Sequence, residues 1–281
     1  MAALGNDSVE VIDLKAGKHL KSLRGPLEPQ GILFLADSDR MVVACGKSGA
    51  CEVYDGETLE RVASVEVGED ADNLRYDARR KRVYVAYGEG ALGIVDAATW
   101  KKVGSVELAG HPESFQLDPE GKRAYVNVPS AHQVAVVDLD ARQVLATWKV
   151  DEAEKNYPMA LVPLGGAPDP GFALLLGCRL PAKLLVRSVP DGKALDALAL
   201  SGDTDDIFFD GRRSRLYVAC GEGFVDVFSL SDKPAFLPLA KVATATGART
   251  CLFVPERDEL FVAVPHRDAQ RAEVRVFSPK D

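Results

Sequence analysis

The chain has 281 residues, 47% of them apolar, with 34 basic against 42 acidic side chains and a net charge of −8. This acidic balance excludes a general binder of nucleic-acid phosphate backbones, which would need a basic surface. No stretch approaches the ~18 consecutive apolar residues of a spanning helix, so no membrane span is expected.

In chain order, residues 1–5 read as the tail of a strand b, 9–13 as strand c and 19–23 as strand d. A unit then begins that recurs. Gly31-Ile-Leu-Phe, Asn73-Leu-Arg-Tyr, Ser114-Phe-Gln-Leu, Ala160-Leu-Val-Pro, Asp206-Ile-Phe-Phe and Thr250-Cys-Leu-Phe open its copies, at spacings of 42, 41, 46, 46 and 44 residues. Downstream of each comes a second apolar run: Met41-Val-Val-Ala-Cys, Val83-Tyr-Val-Ala-Tyr, Ala124-Tyr-Val-Asn-Val, Phe172-Ala-Leu-Leu-Leu-Gly-Cys, Leu216-Tyr-Val-Ala-Cys or Leu260-Phe-Val-Ala-Val. A period of about 40 residues built from short apolar strands predicts an all-β β-propeller with one four-stranded blade per repeat.

The second full repeat sets the pattern, with strands a over 73–77, b over 83–87, c over 91–96 and d over 103–108. Turn chemistry sits between them at Asp77-Ala-Arg-Arg, Gly88-Glu-Gly and Asp96-Ala-Ala-Thr. Nothing long enough reads as a helix, and only 151–156 could make one turn. The C-terminal repeat supplies a over 251–254, b over 260–264 and c over 273–277. The expectation is one domain over 1–281 with 26 strands in seven blades, the first lacking its innermost strand and the last its outer one. On this reading an N-terminal strand or two is missing, and restoring roughly 20–30 upstream residues should raise the melting temperature. Six-bladed closure, with 19–23 paired beside 273–277, is the alternative.

Five cysteines, Cys45, Cys51, Cys178, Cys220 and Cys251, are an odd number at spacings that match no zinc motif. Cys45, Cys178 and Cys220 share one column of three different blades, too far apart to bridge. Only Cys45 and Cys51, flanking one hairpin, could meet; buried free thiols are the expected state. Gly88-Glu-Gly-Ala-Leu-Gly93 satisfies a dinucleotide-binding string, but a strand rather than a helix is predicted after it, so it reads as a hairpin. Gly46-Lys-Ser48 is read the same way, and the basic run Arg79-Arg-Lys-Arg82 as a solvated a–b turn.

The segments Tyr84-Val-Ala-Tyr-Gly, Tyr217-Val-Ala-Cys-Gly, Ser8-Val-Glu-Val-Ile-Asp-Leu and Gln133-Val-Ala-Val-Val-Asp-Leu resemble the YVTN-type repeat of YncE-like β-propeller proteins. The resemblance covers practically the whole chain. It implies a seven-bladed ring of the kind usual in exported bacterial proteins, hence a periplasmic or secreted location. It carries no catalytic set to transfer. The 6-phosphogluconolactonase-like enzymes share the blade plan, but no defined lactonase motif is matched.

In a propeller the d–a and b–c connections emerge on one face, around the mouth of the central channel. Three columns of the d–a connection are polar where a turn would suffice. One reads Glu28, Asp70, His111, Tyr157, Asp203, Gly247; the next Gln30, Asp72, Glu113, Met159, Asp205, Arg249; the third holds Asn73, Ser114, Asp206 and Thr250. The b–c connections add Arg179 and His266-Arg267. The candidate ligand-binding set is Asp72, Asn73, His111, Glu113, Asp205, Arg249 and His266. Asp72, Glu113 and Asp205 would hold a divalent cation, and His111 would move protons. The competing reading is that Asp and Asn here make turns and a satisfied polar network. The leading expectation is a non-catalytic binding or scaffolding propeller that takes a small ligand, metal or protein partner at the channel mouth. A metal-assisted lactonase-type hydrolase and an accessory protein of a periplasmic dehydrogenase are the alternatives.

Overall fold

Aspartates at the strand ends turn the hairpins. At the c–d turns, Oδ1 of Asp13, Asp55, Asp96 and Asp138 accepts the amides two and three residues on, at 2.8–3.2 Å. The aspartate that ends strand c, after Val-x or Ile-x, therefore makes an Asx turn, which satisfies backbone donors that a short hairpin would leave open. The residue that follows in the left-handed region is Gly17 or Gly192 in two repeats but Leu59 (φ 58°), Trp100 (53°) and Arg142 (56°) in three others.

These turns link 26 strands, seen in a computed structural model that describes residues 1–165, 171–231 and 235–280. The fold is the all-β β-propeller, with seven antiparallel sheets as blades. Sheet one holds Ala2–Ala3, Ser8–Asp13 and Lys18–Arg24. Sheet two holds Pro29–Leu35, Arg40–Cys45, Ala50–Asp55 and Arg61–Glu66 as a to d. Sheet three holds Leu74–Asp77, Arg82–Tyr87, Ala91–Asp96 and Lys101–Glu107, and sheet four Phe115–Leu117, Arg123–Val128, Gln133–Asp138 and Gln143–Lys149. Glu154–Pro163, Phe172–Leu180, Ala182–Val189 and Ala194–Ala199 form sheet five. Thr204–Asp210, Arg215–Cys220, Phe224–Leu230 and Phe236–Ala243 form sheet six, and Thr250–Val254, Glu259–Val264 and Glu273–Phe277 sheet seven. Lys18–Arg24 and Glu273–Phe277 lie in different sheets, which removes the six-bladed alternative. The segment 151–156 makes no helical turn, because Glu154 already begins an extended strand. Among the described residues helix is confined to the 3-10 turns Leu4–Asn6 and Pro129–Ala131, and no helix is long and apolar enough to cross a membrane.

By contact density the chain divides into two compact units, Met1–Thr147 and Trp148–Asp281, with the boundary inside the last strand of sheet four. In the first unit, Val9, Val43 and Tyr54 fill the space between sheets one and two. Leu35, Val53, Leu74 and Val85 do so between two and three, and Tyr84, Ile94, Phe115 and Val137 between three and four. In the second unit, Leu175, Val186, Val218 and Phe228 pack sheet five on six, and Tyr217, Val227, Phe253 and Val262 pack six on seven. Strands b and c are buried on both faces, which is why they read as continuous apolar runs without alternation.

All five cysteines are free. Cys45 packs among Val9 and Val43, whereas Cys51 packs among Val42, Ala44 and Val53, so these two face opposite sides of sheet two. The hairpin pairs Cys45 with Ala50 and Ala44 with Cys51, and a one-residue offset on a strand reverses the face. Burial pushes the thiols of Cys45, Cys51, Cys178 and Cys220 up to about 12, and that of Cys251 well above its ordinary value. In a thiol titration the folded protein should therefore react with almost no Ellman reagent at pH 8, and the urea-unfolded chain with five equivalents. A fast-reacting thiol in the folded protein would contradict this burial.

Candidate functional site

The d–a connections follow one backbone plan. Glu28, Asp70 and Asp203 have φ of 54°, 53° and 60°, and the matching Gly247 has 81°. The left-handed region suits Gly, Asp and Asn, so the acidic residues of this column are placed in part by backbone geometry. The next column, Pro29, Ala71, Pro112, Pro158, Thr204 and Ala248, is buried throughout. It anchors the turn and leaves polar residues on either side of it. Successive connections are tied by amides. Gly221 donates to the Asp203 carbonyl (2.8 Å) and accepts from the amide of Gly247 (2.7 Å). A Cβ on Gly221 would lie 2.1 Å from Asp203 Oδ2, so the carboxylate sits directly over a glycine that has to stay bare.

In the second unit, two of the expected residues come together. Arg249 places Nη1 3.1 and 3.2 Å from the two oxygens of Asp203, and Nε 3.1 Å from Asp205 Oδ2. Arg179 faces the same pair from the other side, donating from Nη2 to Asp205 Oδ1 (2.6 Å) and from Nε to the Thr204 carbonyl (2.8 Å). Its Nη1 lies 3.3 Å from Asp203 Oδ1. The Arg179 guanidinium also lies 4.2 Å above the centre of the Tyr157 ring. The four charges balance. Burial pushes the Asp205 carboxyl above the usual carboxylate range; the two arginines pull it down and Asp203 adds to the rise. Burial works against the Arg249 cation, but Asp205 and Asp203 outweigh it and hold its pKa above the ordinary value. The side chain of Arg249 is 43% exposed and that of Asp203 38%, against 19% for Arg179.

The first unit repeats the arrangement around Asp70 with an amide and an imidazole in place of the arginines. Gln30 Nε2 donates to Asp70 Oδ1 (2.8 Å), and His111 Nδ1 lies 3.5 Å from Asp70 Oδ2 and 2.7 Å from the Gly88 carbonyl. Asp72 accepts from Asn73 Nδ2 (3.0 Å), and the Glu113 amide donates to the Asn127 carbonyl (3.0 Å). His266 is exposed in the b–c connection of sheet seven. In the third column, Asp206 accepts the Cys251 amide (2.8 Å) and Ser114 accepts from Arg75 Nη2 (3.3 Å), which links neighbouring innermost strands. Among the described residues, no three His, Cys, Asp or Glu side chains form a group that could hold a metal ion.

One constellation away from this face has the residue types of a nucleophilic relay. Ser22 Oγ and Glu10 Oε2 both meet Nε2 of His19, at 3.3 and 2.6 Å. A relay needs the acid on one ring nitrogen and the hydroxyl on the other, so this set is a held carboxylate. Hydrogen bonds from Ser22 and Ser8 draw the Glu10 carboxyl down to about 2, against an opposing contribution from burial.

Sequence reasoning missed a pair of clamps on the opposite, a–b turn side of the sheets. Asp77-Ala-Arg-Arg-Lys-Arg-Val-Tyr-Val-Ala86 and Asp210-Gly-Arg-Arg-Ser-Arg-Leu-Tyr-Val-Ala219 are near-copies. In each, the buried aspartate caps its own turn and binds the arginine three residues on, Arg80 (3.0 Å) or Arg213 (3.1 Å). That arginine then reaches the next sheet, at Asp140 for Arg80 and Asp258 for Arg213. The run 79–82 is the expected turn, with Arg79 and Lys81 exposed. It also ties sheet three to sheet four through Arg80 and through Arg79, which donates to the Pro119 carbonyl, while Arg82 pairs with Asp96 of its own sheet. The duplicated Asp-x-Arg-Arg-x-Arg segment was the available signal.

No protein-family profile matches this chain, and no curated protein matches it. Solved structures do. A chain of hydrazine synthase from Kuenenia stuttgartiensis superposes with a TM-score of 0.81 at 16% identity, over 98% of this chain and 90% of that one. A provisionally assigned 6-phosphogluconolactonase from Bacteroides uniformis superposes at 0.75 and 15% identity, over 95% and 86%. At such identities the similarity establishes the fold alone.

Proposed function

We propose that this chain is a non-catalytic binding propeller of the YVTN-repeat type, which takes a small ligand or protein partner on the face built by its d–a and b–c connections. The observation that carries this is the Arg249 guanidinium. Two of its nitrogens are committed to Asp203 and Asp205, while Nη2 has no partner among the described residues on a side chain that is 43% exposed. A pre-oriented donor edge beside two fixed carboxylates suits recognition of an acceptor-rich group, because the cost of ordering it has already been met by the fold. An exported location accords with the YVTN-like segments.

The test is a thermal-shift screen of small carboxylates, phosphates and divalent cations, followed by calorimetry. A carboxylate or phosphate should raise the melting temperature of the wild type and not of Arg249→Ala. Stabilisation that survives in Arg249→Ala would sink the reading. The lactonase alternative predicts instead that Mg2+ or Ca2+ stabilises the protein, that Asp72→Ala or Glu113→Ala abolishes this, and that lactone hydrolysis depends on the cation.

A further inference from the structure

The turn face that carries the clamps also carries two depressions in the first unit, each of about 260 Å3, with Tyr76 in the wall of both. We propose that together they bind a neutral oligosaccharide of at least two pyranose units. The site is separate from the d–a and b–c face, since it is built from a–b and c–d turns at the other strand ends of sheets two to four.

The chemistry of the lining selects the ligand. In one depression, the half-buried Trp100 lies beside the small Ala97 and Ala98, and the rim is polar: Asp37, Ser38, Arg40 and Lys81. Tyr76 Oη donates to Asp37 Oδ2 at 2.8 Å, which fixes that carboxylate and leaves both groups able to accept from ligand hydroxyls. Arg40 pairs with Asp55 at 2.9 Å, and the rim holds one further acid, Asp37, and one further base, Lys81, so the charges around this depression cancel in number. A ligand of net charge would leave one member uncompensated. The weakly positive C–H face of a pyranose meets the negative face of an indole favourably, and alternating donors and acceptors suit its hydroxyls. The second depression, beyond Tyr76, is more apolar, with Ala78, Leu117 and Pro119 beside the charged Asp77, Arg79 and Asp118. Each volume lies below the ~300 Å3 from which enclosing small-molecule pockets begin, and suits one ring lying on the surface. Two adjoining shallow subsites with a shared aromatic wall fit a chain of rings better than a single compact molecule.

Trp100 holds φ 53° at a position filled by Gly17 and Gly192 in two other repeats and by Leu59 and Arg142 in two more. A bulky side chain in the left-handed region costs about 1–2 kcal/mol, which the packing of Trp100 on the core of sheets two and three offsets in part.

The chain has two tryptophans, so Trp148→Phe leaves Trp100 as the sole indole reporter. This variant should be titrated with maltotriose, cellotriose, chitotriose and mannotriose, and the wild type followed by calorimetry with any that respond. At least one should change Trp100 emission saturably, and Trp100→Gly, whose backbone is already suited to glycine, should weaken binding by at least about tenfold, as should Asp37→Ala. Tyr76→Phe keeps the ring and should weaken binding less; it also serves as the test should Trp100→Gly fail to fold. The proposal is overturned if none of the four sugars gives a saturable response, if binding is unchanged in these variants, or if acetate or phosphate binds there and the sugars do not.

Discussion

Replacing Arg179 with alanine is expected to destabilise the protein by about 2–4 kcal/mol in urea unfolding, more than any other single charge deletion on the d–a face. Breaking a buried ion pair costs about 3–5 kcal/mol, and the partial exposure of Asp203 lowers that figure through solvent screening. Arg179 contacts Asp203, Asp205, the Thr204 carbonyl and the Tyr157 ring while itself only 19% exposed. Its loss leaves two neighbouring carboxylates with one arginine between them, one of them already pushed toward neutrality by burial. Arg249→Ala should cost less, about 1–2 kcal/mol, because its side chain is more than twice as exposed. A double-mutant cycle of Arg179→Ala with Asp205→Asn should recover part of the loss, since the second change removes the charge that the first strands. A cost for Arg179→Ala within the ~0.5 kcal/mol typical of surface substitutions would mean that the cluster is solvated and holds nothing.

That ranking differs from the one the amino-acid pattern suggests. Arg249 stands out in the sequence because it is the one cation in a column of Gln, Asp, Glu and Met. Arg179 reads as part of a b–c connection but lies at the end of strand b of sheet five, and its reach across to the next sheet cannot be read from spacing. Periodicity carries the blades well, because strands b and c are buried on both faces and show as uninterrupted apolar runs at each repeat. It carries the termini of strands less well: Glu154 begins an extended strand where Asp151–Asn156 has the composition of a turn. The acidic first column was legible as a column, but its cause was not. Asp70 and Asp203 occupy left-handed backbone positions, and φ leaves no trace in a list of residue types beyond a preference for Gly, Asn and Asp. The same preference hides in the c–d turns, where Trp100 and Arg142 take the place that Gly17 and Gly192 fill elsewhere.

Asp210→Ala should cost about 3–4 kcal/mol, and the equivalent Asp77→Ala a similar amount. Asp210 is 2% exposed and accepts the amides of Arg212 and Arg213, the Tyr217 hydroxyl (3.2 Å) and Nη1 of Arg213. Alanine removes a turn cap and leaves a buried hydroxyl and a guanidinium short of an acceptor, each of which costs about 1–3 kcal/mol. The clamp also predicts an acid limit. Hydrogen bonding from Arg213, with burial opposing it and Arg212 assisting, holds the Asp258 carboxyl down at about 2. A carboxylate whose pKa is lower folded than unfolded stabilises the fold above the unfolded value of about 3.9, and that contribution fades as pH falls through the folded value. The urea midpoint of the wild type should therefore decline between pH 4 and pH 2, with Glu10, also held at about 2, adding to the slope. In Asp258→Asn the decline should be shallower, because the titrating partner is gone while the amide oxygen still accepts from Arg213. A slope identical to that of the wild type would place the acid sensitivity elsewhere and reduce the duplicated segment to a turn motif.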